Sequence, residues 1–219
     1  LLLFLAACDS QQTSEEESSL DGLGTAGVEI TTPFSSSSTT ENGGTVSTKV
    51  RLKSAPLSPV TITLNSSDTQ EGTVLPTVLT FNKDNWDSYV SIIVTGVDDD
   101  IADGSQSYEI QIASVVSEDS KYSALNGQID PIKLQNEDDE IKAIVLGSLS
   151  GDTTEAGGNA TFSVKLASKP IEAVSIPIIS KDTSEGTVSV SSLSFDNSNY
   201  NTVQTVTVNG QDDDERDGN

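Results

Sequence analysis

The chain has 219 residues, and 34 Asp and Glu against 11 Lys and Arg give it a net charge of −23. This charge excludes nucleic acid as a partner, because phosphate binding depends on Lys and Arg. The chain has no His and a single Cys. A Ser-His-Asp triad, most zinc sites, an intrachain disulfide and a thiolate cluster are therefore excluded, which leaves metal chemistry through oxygen ligands.

Residues 1–7 are predicted to be the remnant of a signal peptide. They form an apolar run that ends in small residues just before Cys8, and it is far shorter than the roughly 20 residues that span a bilayer. The stretch Leu5-Ala6-Ala7-Cys8 resembles the bacterial lipobox, which implies that Cys8 is the lipidated first residue of the mature protein. The alternative is a chance cysteine after an ordinary signal peptide. Residues 8–26, rich in Ser, Glu, Gln and Gly, are predicted to be a disordered acidic tether.

The rest of the chain contains the same pattern twice. Three segments return 114 positions later: residues 40–44 at 154–158, 66–74 at 180–188, and 94–104 at 208–218. A period of this length indicates a whole domain rather than a solenoid unit. We therefore predict two domains, repeat one over residues 27–140 and repeat two over 141–219, the second of them truncated.

Both repeats have the patterning of β-strands. Val46, Val50 and Leu52 alternate with polar residues, which is the period of two expected for a strand with one buried face. About seven strands are predicted in repeat one, near residues 28–31, 46–52, 60–64, 79–81, 90–94, 108–112 and 132–134. Seven short antiparallel strands in about 110 residues predict an all-β fold, an immunoglobulin-like sandwich.

Two further positions carry predictions about packing. Pro177 interrupts a strand of repeat two and cannot donate to a ladder, so its strand is predicted to lie at a sheet edge or a bulge. Trp86 and Tyr200 occupy equivalent positions, either as a platform for stacking sugars or as core aromatics. We favour the core interpretation because aromatic side chains dominate small cores.

Acidic residues follow several of the predicted strands. Asp98, Asp99, Asp100 and Asp103 share one loop, and Glu137, Asp138 and Asp139 follow the final strand of repeat one. Alternate connections of an antiparallel sandwich meet at one end, so strand parity places Glu41 and Asp68 at this end too. Such a concentration of like charge is unfavourable. Either the loops splay into solvent or Ca²⁺, which prefers six to eight oxygens, occupies this end; Mg²⁺ is less suited to an all-protein cage.

The ordered run ENGG…SSDT…GVDDD…DG…YEIQI…NEDD resembles a Calx-β domain, a module of sodium–calcium exchangers and many bacterial surface proteins. The resemblance covers nearly all of repeat one and the first two-thirds of repeat two. In repeat one it implies calcium ligands at Glu41, Asp68, Asp98, Asp99, Asp100, Glu137, Asp138 and Asp139, with Asp103 at a position that is often acidic. In repeat two it implies Glu155, Asp182, Asp212, Asp213, Asp214 and Asp217.

Our leading hypothesis is a lipid-anchored protein of the bacterial cell envelope, at the outer surface or in the periplasm, with calcium-binding repeats that act as stalk or adhesion modules. Its partners would be the membrane, through Cys8, and an extracellular protein or carbohydrate ligand. The alternative is a metal-free structural spacer. A glycosidase would need a groove lined with aromatic side chains, and few occur outside the predicted core. The chain is therefore predicted not to be an enzyme.

Overall fold

The structure, a computed structural model, describes residues 24–31 and 37–212. These residues form fifteen strands and one short helix. The elements of repeat one are β1 (Val28–Ile30), β2 (Ser38–Thr40), β3 (Thr45–Leu52), β4 (Val60–Ser66), β5 (Gly72–Leu75), β6 (Val78–Phe81), β7 (Val90–Gly96), β8 (Gln106–Val116), α1 (Ser120–Ser123) and β9 (Ile132–Glu137). Those of repeat two are β10 (Ile144–Leu146), β11 (Asn159–Leu166), β12 (Val174–Pro177), β13 (Gly186–Val188), β14 (Ser192–Phe195) and β15 (Gln204–Gly210).

Several predictions concern residues outside the described ranges. They are the signal-peptide remnant 1–7, Cys8 with the tether up to residue 23, and Asp213, Asp214 and Asp217. At the end of the tether, Ala26 already packs against the core of repeat one. The one helix in residues 24–31 and 37–212 lacks the length and apolar composition that crossing a membrane requires.

Repeat one contains two sheets with apolar side chains between them. The strand orders are β1-β3-β7-β5 and β2-β9-β8-β4-β6. Alternation buries every second residue of β3 and β4, so that Val50 and Leu52 from one sheet join Val60 and Ile62 from the other in one core. The chain is therefore an all-β protein, as the period of two predicts.

The described residues of repeat one form nine strands rather than the roughly seven predicted from the sequence. β2 was missed because Ser38–Thr40 contains no apolar residue, and it becomes a strand only by joining the sheet beside β9. β5 was missed because it is four residues long, begins with Gly72 and buries one apolar side chain, Val74. In both strands tertiary pairing overrides a weak local signal.

Repeat two reproduces repeat one in register. Its strand orders are β10-β11-β15-β13 and β12-β14. The pair Val46↔Val94 has its counterpart 114 positions later in Ala160↔Val208, and the pairing of β4 with β6 returns in β12 with β14. Within the described residues β12 pairs with β14 alone, whereas its counterpart β4 lies between β6 and β8. The edge or bulge position of the strand of Pro177 stays a prediction. Trp86 and Tyr200 are partly buried against the two cores, as the core interpretation predicts.

The compact units of the chain do not follow the repeat boundary. The second unit combines residues 40–44, 96–107 and the described chain from Gln135 onward. The turn before β3, the loop after β7 and the segment after β9 therefore belong to the same compact unit as the strands of repeat two. These three segments carry most of the acidic residues that the sequence singled out.

Candidate metal site

Glu41 is held by a tight turn that explains the motif shared by the two repeats. The Thr40 carbonyl accepts hydrogen bonds from the N–H groups of Gly43 and Gly44, both at 3.1 Å. Gly43 has a φ of 86°, which side chains rarely tolerate, and a Cβ on Gly44 would collide with the Thr40 hydroxyl. The Glu41 N–H donates to the Glu137 carbonyl at 3.0 Å. The turn thus directs the Glu41 side chain inward, where it is 2% exposed.

The loop after β7 is fastened beside this turn. The Gly96 N–H donates to the Gly44 carbonyl at 3.0 Å, and a Cβ on Gly96 would collide with the Thr40 carbonyl and the Asn136 side chain. Asn136 is fully buried and donates through Nδ2 to the Val97 carbonyl at 2.8 Å. These contacts hold the segments after β7 and β9 together, which places their carboxylates side by side.

Five carboxylates of these segments form two overlapping groups. One group contains Glu41, Asp138 and Glu140, and the other contains Asp98, Asp139 and Glu140; within each, one oxygen per residue lies within 4.8 Å of the others. Glu140 is shared. Both Glu41 Oε2 and Glu140 Oε2 are buried and have no hydrogen-bond partner among the described residues. An unpartnered buried carboxylate oxygen is strongly unfavourable unless a proton or a cation compensates it.

The ionisation of the group reflects this crowding. Burial, together with contact with the Glu140 carboxyl and the charges of Asp138 and Asp99, raises the pKa of Glu41 to about 8. Burial is also the main cause that raises the pKa of Glu140. For Asp138 burial acts in the same direction, but hydrogen bonds from the N–H groups of Gly104 and Glu140 outweigh it, so that its pKa is lowered. The site therefore combines one firmly ionised carboxylate with two that resist ionisation without a compensating charge.

Oxygen donors of this kind could hold a hard cation. The five carboxylates supply enough oxygens for much of the six- to eightfold shell of Ca²⁺. A divalent ion would also offset the burial and the repulsion that raise the pKa of Glu41, because opposite charge favours the ionised form. The chemistry that such an ion would supply here is structural cross-linking of three segments.

The other predicted residues of repeat one lie outside these two groups. The Asp99 carboxylate accepts from the Ile101 N–H at 2.6 Å, and the Asp68 carboxylate accepts from the Gln70 N–H at 2.9 Å. Asp100 forms a side-chain hydrogen bond with Tyr200, and Asp103 is exposed. Glu137 joins the site through its backbone carbonyl, as described above for Glu41. Their roles as ligands stay predictions.

The acidic residues of repeat two are arranged differently. Glu155, Asp182 and Asp212 are exposed, and Asp182 accepts from the Ser184 N–H at 3.1 Å. Among the described residues of this repeat, no three acidic side chains come as close together as those of repeat one. Glu155 has the same turn motif as Glu41, but its side chain is exposed rather than buried.

Glu140 is the residue that the sequence interpretation missed. The acidic run was taken to end at Asp139, whereas the chain reads Asn136-Glu-Asp-Asp-Glu140 and continues for one more carboxylate. That continuation was the available signal. The role of Glu140 depends on the folded structure, because the turn that buries Glu41 brings the Glu41 carboxylate close to that of Glu140.

The raised pKa of Glu41 predicts a stability that depends on pH. Because the native state holds this proton more tightly than the unfolded state, stability should fall as the pH rises from about 4.5 to about 8. In the presence of a chelator, the melting temperature should therefore decrease from about pH 5 to about pH 8. Thermal melts across this range provide the measurement.

The matched variants for this experiment are Glu41→Gln and Glu155→Gln. Glu41→Gln should make the decrease shallower because one of the two carboxyl groups with a raised pKa is gone, whereas Glu155→Gln changes an exposed residue of the same motif and should leave it unchanged. A decrease of undiminished size in Glu41→Gln would show that Glu41 is not responsible.

Comparisons with known proteins give little further information. No family model matches the chain, and no curated protein matches it. A crystal structure of the YadV chaperone is similar over 85% of this chain and 88% of its own, with 13% identity and a TM-score of 0.33. Domains 5–6 of the S-layer protein SbsC are similar over 90% and 87%, with 13% identity and a TM-score of 0.26. Domains 4–9 of SbsC match over 90% of this chain and 28% of theirs, with 11% identity and a TM-score of 0.27. These scores are too low to support an argument about function, so the function must be argued from the residues themselves.

Proposed function

We propose that the chain is a calcium-binding structural protein, made of tandem immunoglobulin-like repeats of the Calx-β type and carried by a lipid-anchored protein of the bacterial cell envelope. The observation that carries the proposal is the buried Glu41, whose unpartnered oxygen belongs to a group of carboxylates from separate loops. Ca²⁺ is the cation whose preferred oxygen ligands and loose coordination geometry suit such a set best.

The role of the ion is mechanical. Asp98 lies in the loop after β7, whereas Asp139 and Glu140 precede β10, so an ion bound by all three would join these segments. The Asp100 carbonyl in the same loop accepts from the Lys169 N–H at 2.7 Å. Binding would therefore stiffen the connection to repeat two, which is the property that a stalk or an adhesive array requires.

Calcium should stabilise the chain strongly. Binding to the native state alone adds about 2.7 kcal/mol at 100 times the dissociation constant. Extracellular calcium modules typically bind at about 10⁻⁴ to 10⁻³ M. Calorimetric titration and thermal melts with millimolar Ca²⁺ or a chelator measure both quantities, and Mg²⁺ at the same concentration should have a smaller effect.

Glu140→Gln is the most informative variant because Glu140 belongs to both groups of carboxylates. It should abolish most of the calcium-dependent rise in melting temperature, while Glu155→Gln in repeat two should retain it. If the parent melts at the same temperature in calcium and in chelator, the chain is a metal-free spacer and its acidity serves solubility.

The membrane anchor is a separate part of the proposal and rests on the lipobox-like sequence before Cys8. Acyl chains on one cysteine would attach the protein stably, because each buried methylene contributes about 0.8 kcal/mol. Mass spectrometry of the mature amino terminus tests this. A mature protein without acyl mass on Cys8 would refute the anchor but leave the calcium proposal intact.

A further inference from the structure

The loop after β7, which carries Asp98 into the candidate metal site, is held from two sides. On the side of repeat one, the Val97 carbonyl accepts from Asn136 Nδ2 at 2.8 Å. On the side of repeat two, the Asp100 carbonyl accepts from the Lys169 N–H at 2.7 Å. All of these residues lie in the same compact unit. The conformation of the loop therefore depends on contacts with both repeats.

Tyr200 of repeat two makes a second contact with this loop. Its hydroxyl forms a hydrogen bond with the Asp100 side chain, and this bond is the main reason why the pKa of Tyr200 is raised. Burial and the charges of Asp100 and Glu140 act in the same direction. Glu140 is the carboxylate that the two groups of the candidate site share. A hydroxyl that belongs to repeat two therefore reaches the edge of the site.

The ring of Tyr200 is anchored firmly in repeat two. It is partly buried against the core of this repeat, and the Tyr200 carbonyl accepts from the Leu166 N–H at 2.8 Å. The turn before it is closed by Asn199, whose Oδ1 accepts from the Asp196 N–H at 2.6 Å. Because the ring and the backbone are both fixed, the position of the hydroxyl is set by repeat two, and the loop after β7 adapts to it.

The same turn in repeat one ends in an aromatic residue without a hydroxyl. Asn85 Oδ1 accepts from the Asn82 N–H at 2.6 Å, and the Trp86 carbonyl accepts from the Leu52 N–H at 2.9 Å. The turn is thus reproduced 114 positions earlier in the chain, with tryptophan in place of Tyr200. Neither the turn nor the packing against the core therefore requires the hydroxyl.

We propose that Tyr200 is a positioning residue for the metal site: its hydroxyl holds Asp100, and with it the stretch that carries Asp98, in the conformation that binds the ion. This inference rests on the calcium site proposed above. A loop that is ordered before binding loses less conformational freedom when the ion binds, so the affinity is higher. Repeat two thus sets the calcium affinity of a site whose carboxylates all belong to repeat one.

The coupling between the ion and repeat two is reciprocal. A contact that favours calcium binding is itself strengthened by the same factor when calcium binds. The bond from the Lys169 N–H to the Asp100 carbonyl lies in the same loop as the Tyr200 contact. Calcium should therefore reduce the local opening of this bond, which hydrogen exchange of the Lys169 N–H reports.

The test is a calorimetric calcium titration of the full chain and of two variants that each lose one tyrosine hydroxyl. Tyr200→Phe should raise the dissociation constant for Ca²⁺ by about two- to tenfold, the effect of one hydrogen bond. Tyr89→Phe is the matched control, since the Tyr89 hydroxyl also donates to a carboxylate, that of Glu29 at 2.6 Å, and Glu29 belongs to neither group of the site. This control should bind Ca²⁺ within about twofold of the parent.

Two further measurements separate positioning from a general loss of stability. In chelator, Tyr200→Phe should melt close to the parent temperature, because Asp100 is exposed and a bond to an exposed carboxylate contributes little to folding. In the parent, exchange of the Lys169 N–H should be slower in calcium than in chelator, and Tyr200→Phe should reduce this difference. A residue with a structural role alone would lower the melting temperature in chelator and leave the calcium affinity unchanged.

Equal calcium affinity of Tyr200→Phe and the parent would overturn the inference, and so would an equal loss of affinity in Tyr89→Phe. Exchange of the Lys169 N–H at the same rate in calcium and in chelator would also contradict it. These results leave the proposed calcium site intact as long as the parent itself is stabilised by calcium. If the parent shows no calcium binding, the proposed function is wrong and the role of Tyr200 is wrong with it.

Discussion

Replacing Tyr122 with alanine is expected to lower the free energy of unfolding of repeat one by about 3–5 kcal/mol, the range typical of a large aromatic removed from a core. Tyr122 is 1% exposed and belongs to the core cluster of this repeat. Its loss would open a cavity and leave the buried polar groups of Ser54 without their partner. Trp86, the only tryptophan of the chain, is partly buried against the same core. Urea unfolding followed by its fluorescence therefore reports on this repeat.

Tyr122→Phe separates the two contributions to that loss. It keeps the ring and removes the hydroxyl, so it should cost about 1–3 kcal/mol, the penalty for leaving a buried polar group unsatisfied. If both variants unfold at the parent urea concentration, the turn after β8 does not seal the core of repeat one.

Separating the repeats should produce two pieces of very different stability. Among the described residues, the core of repeat one contains seventeen buried apolar residues and that of repeat two contains five. Because stability scales with the apolar area removed from water, the piece Gly27–Glu140 should melt cooperatively. The piece Ile141–Asn219 should melt at a much lower temperature and tend to associate through its open strand edge and apolar face.

Calorimetry and sedimentation of the two separately expressed pieces measure this difference. The cut also removes the contact of Lys169 with the Asp100 carbonyl, which lowers the stability of the second piece further. A soluble, monomeric second piece with a sharp transition would mean that the partly exposed Ile176 and Ile178 are sufficiently covered within repeat two alone.

Strands with a strict apolar alternation could be predicted from the sequence. Val46, Val50 and Leu52 of β3 have a period of two, as do Val60, Ile62 and Leu64 of β4, and each lies where predicted with these side chains buried. The agreement is physical, since a strand that buries one face must place apolar residues at every second position. β2 and β5 lack this pattern and are strands only because a neighbour supplies their hydrogen bonds.

The candidate metal site was also predicted only in part from the sequence. Strand parity predicted that Glu41, Asp98 and the acidic run after β9 would meet, and the structure groups Glu41 with Asp138, and Asp98 with Asp139. Strand parity assigns a loop to one end of the sandwich but does not specify distances between side chains within that end. It therefore could not separate these residues from Asp68 and Asp103, nor identify Glu140 as the member that the two groups share.

The sequence by itself determined the all-β class, the 114-residue repeat and the abundance of oxygen ligands, because these follow from composition and periodicity alone. Tertiary structure decided which carboxylates are buried, since the inward direction of Glu41 depends on a turn packed against Gly96 and Asn136. It also decided that Ile62 and Leu64 are buried in repeat one, whereas their counterparts Ile176 and Ile178 are partly exposed in repeat two. A local sequence specifies the shape of a surface, but whether that surface is exposed depends on segments distant in the chain that pack against it.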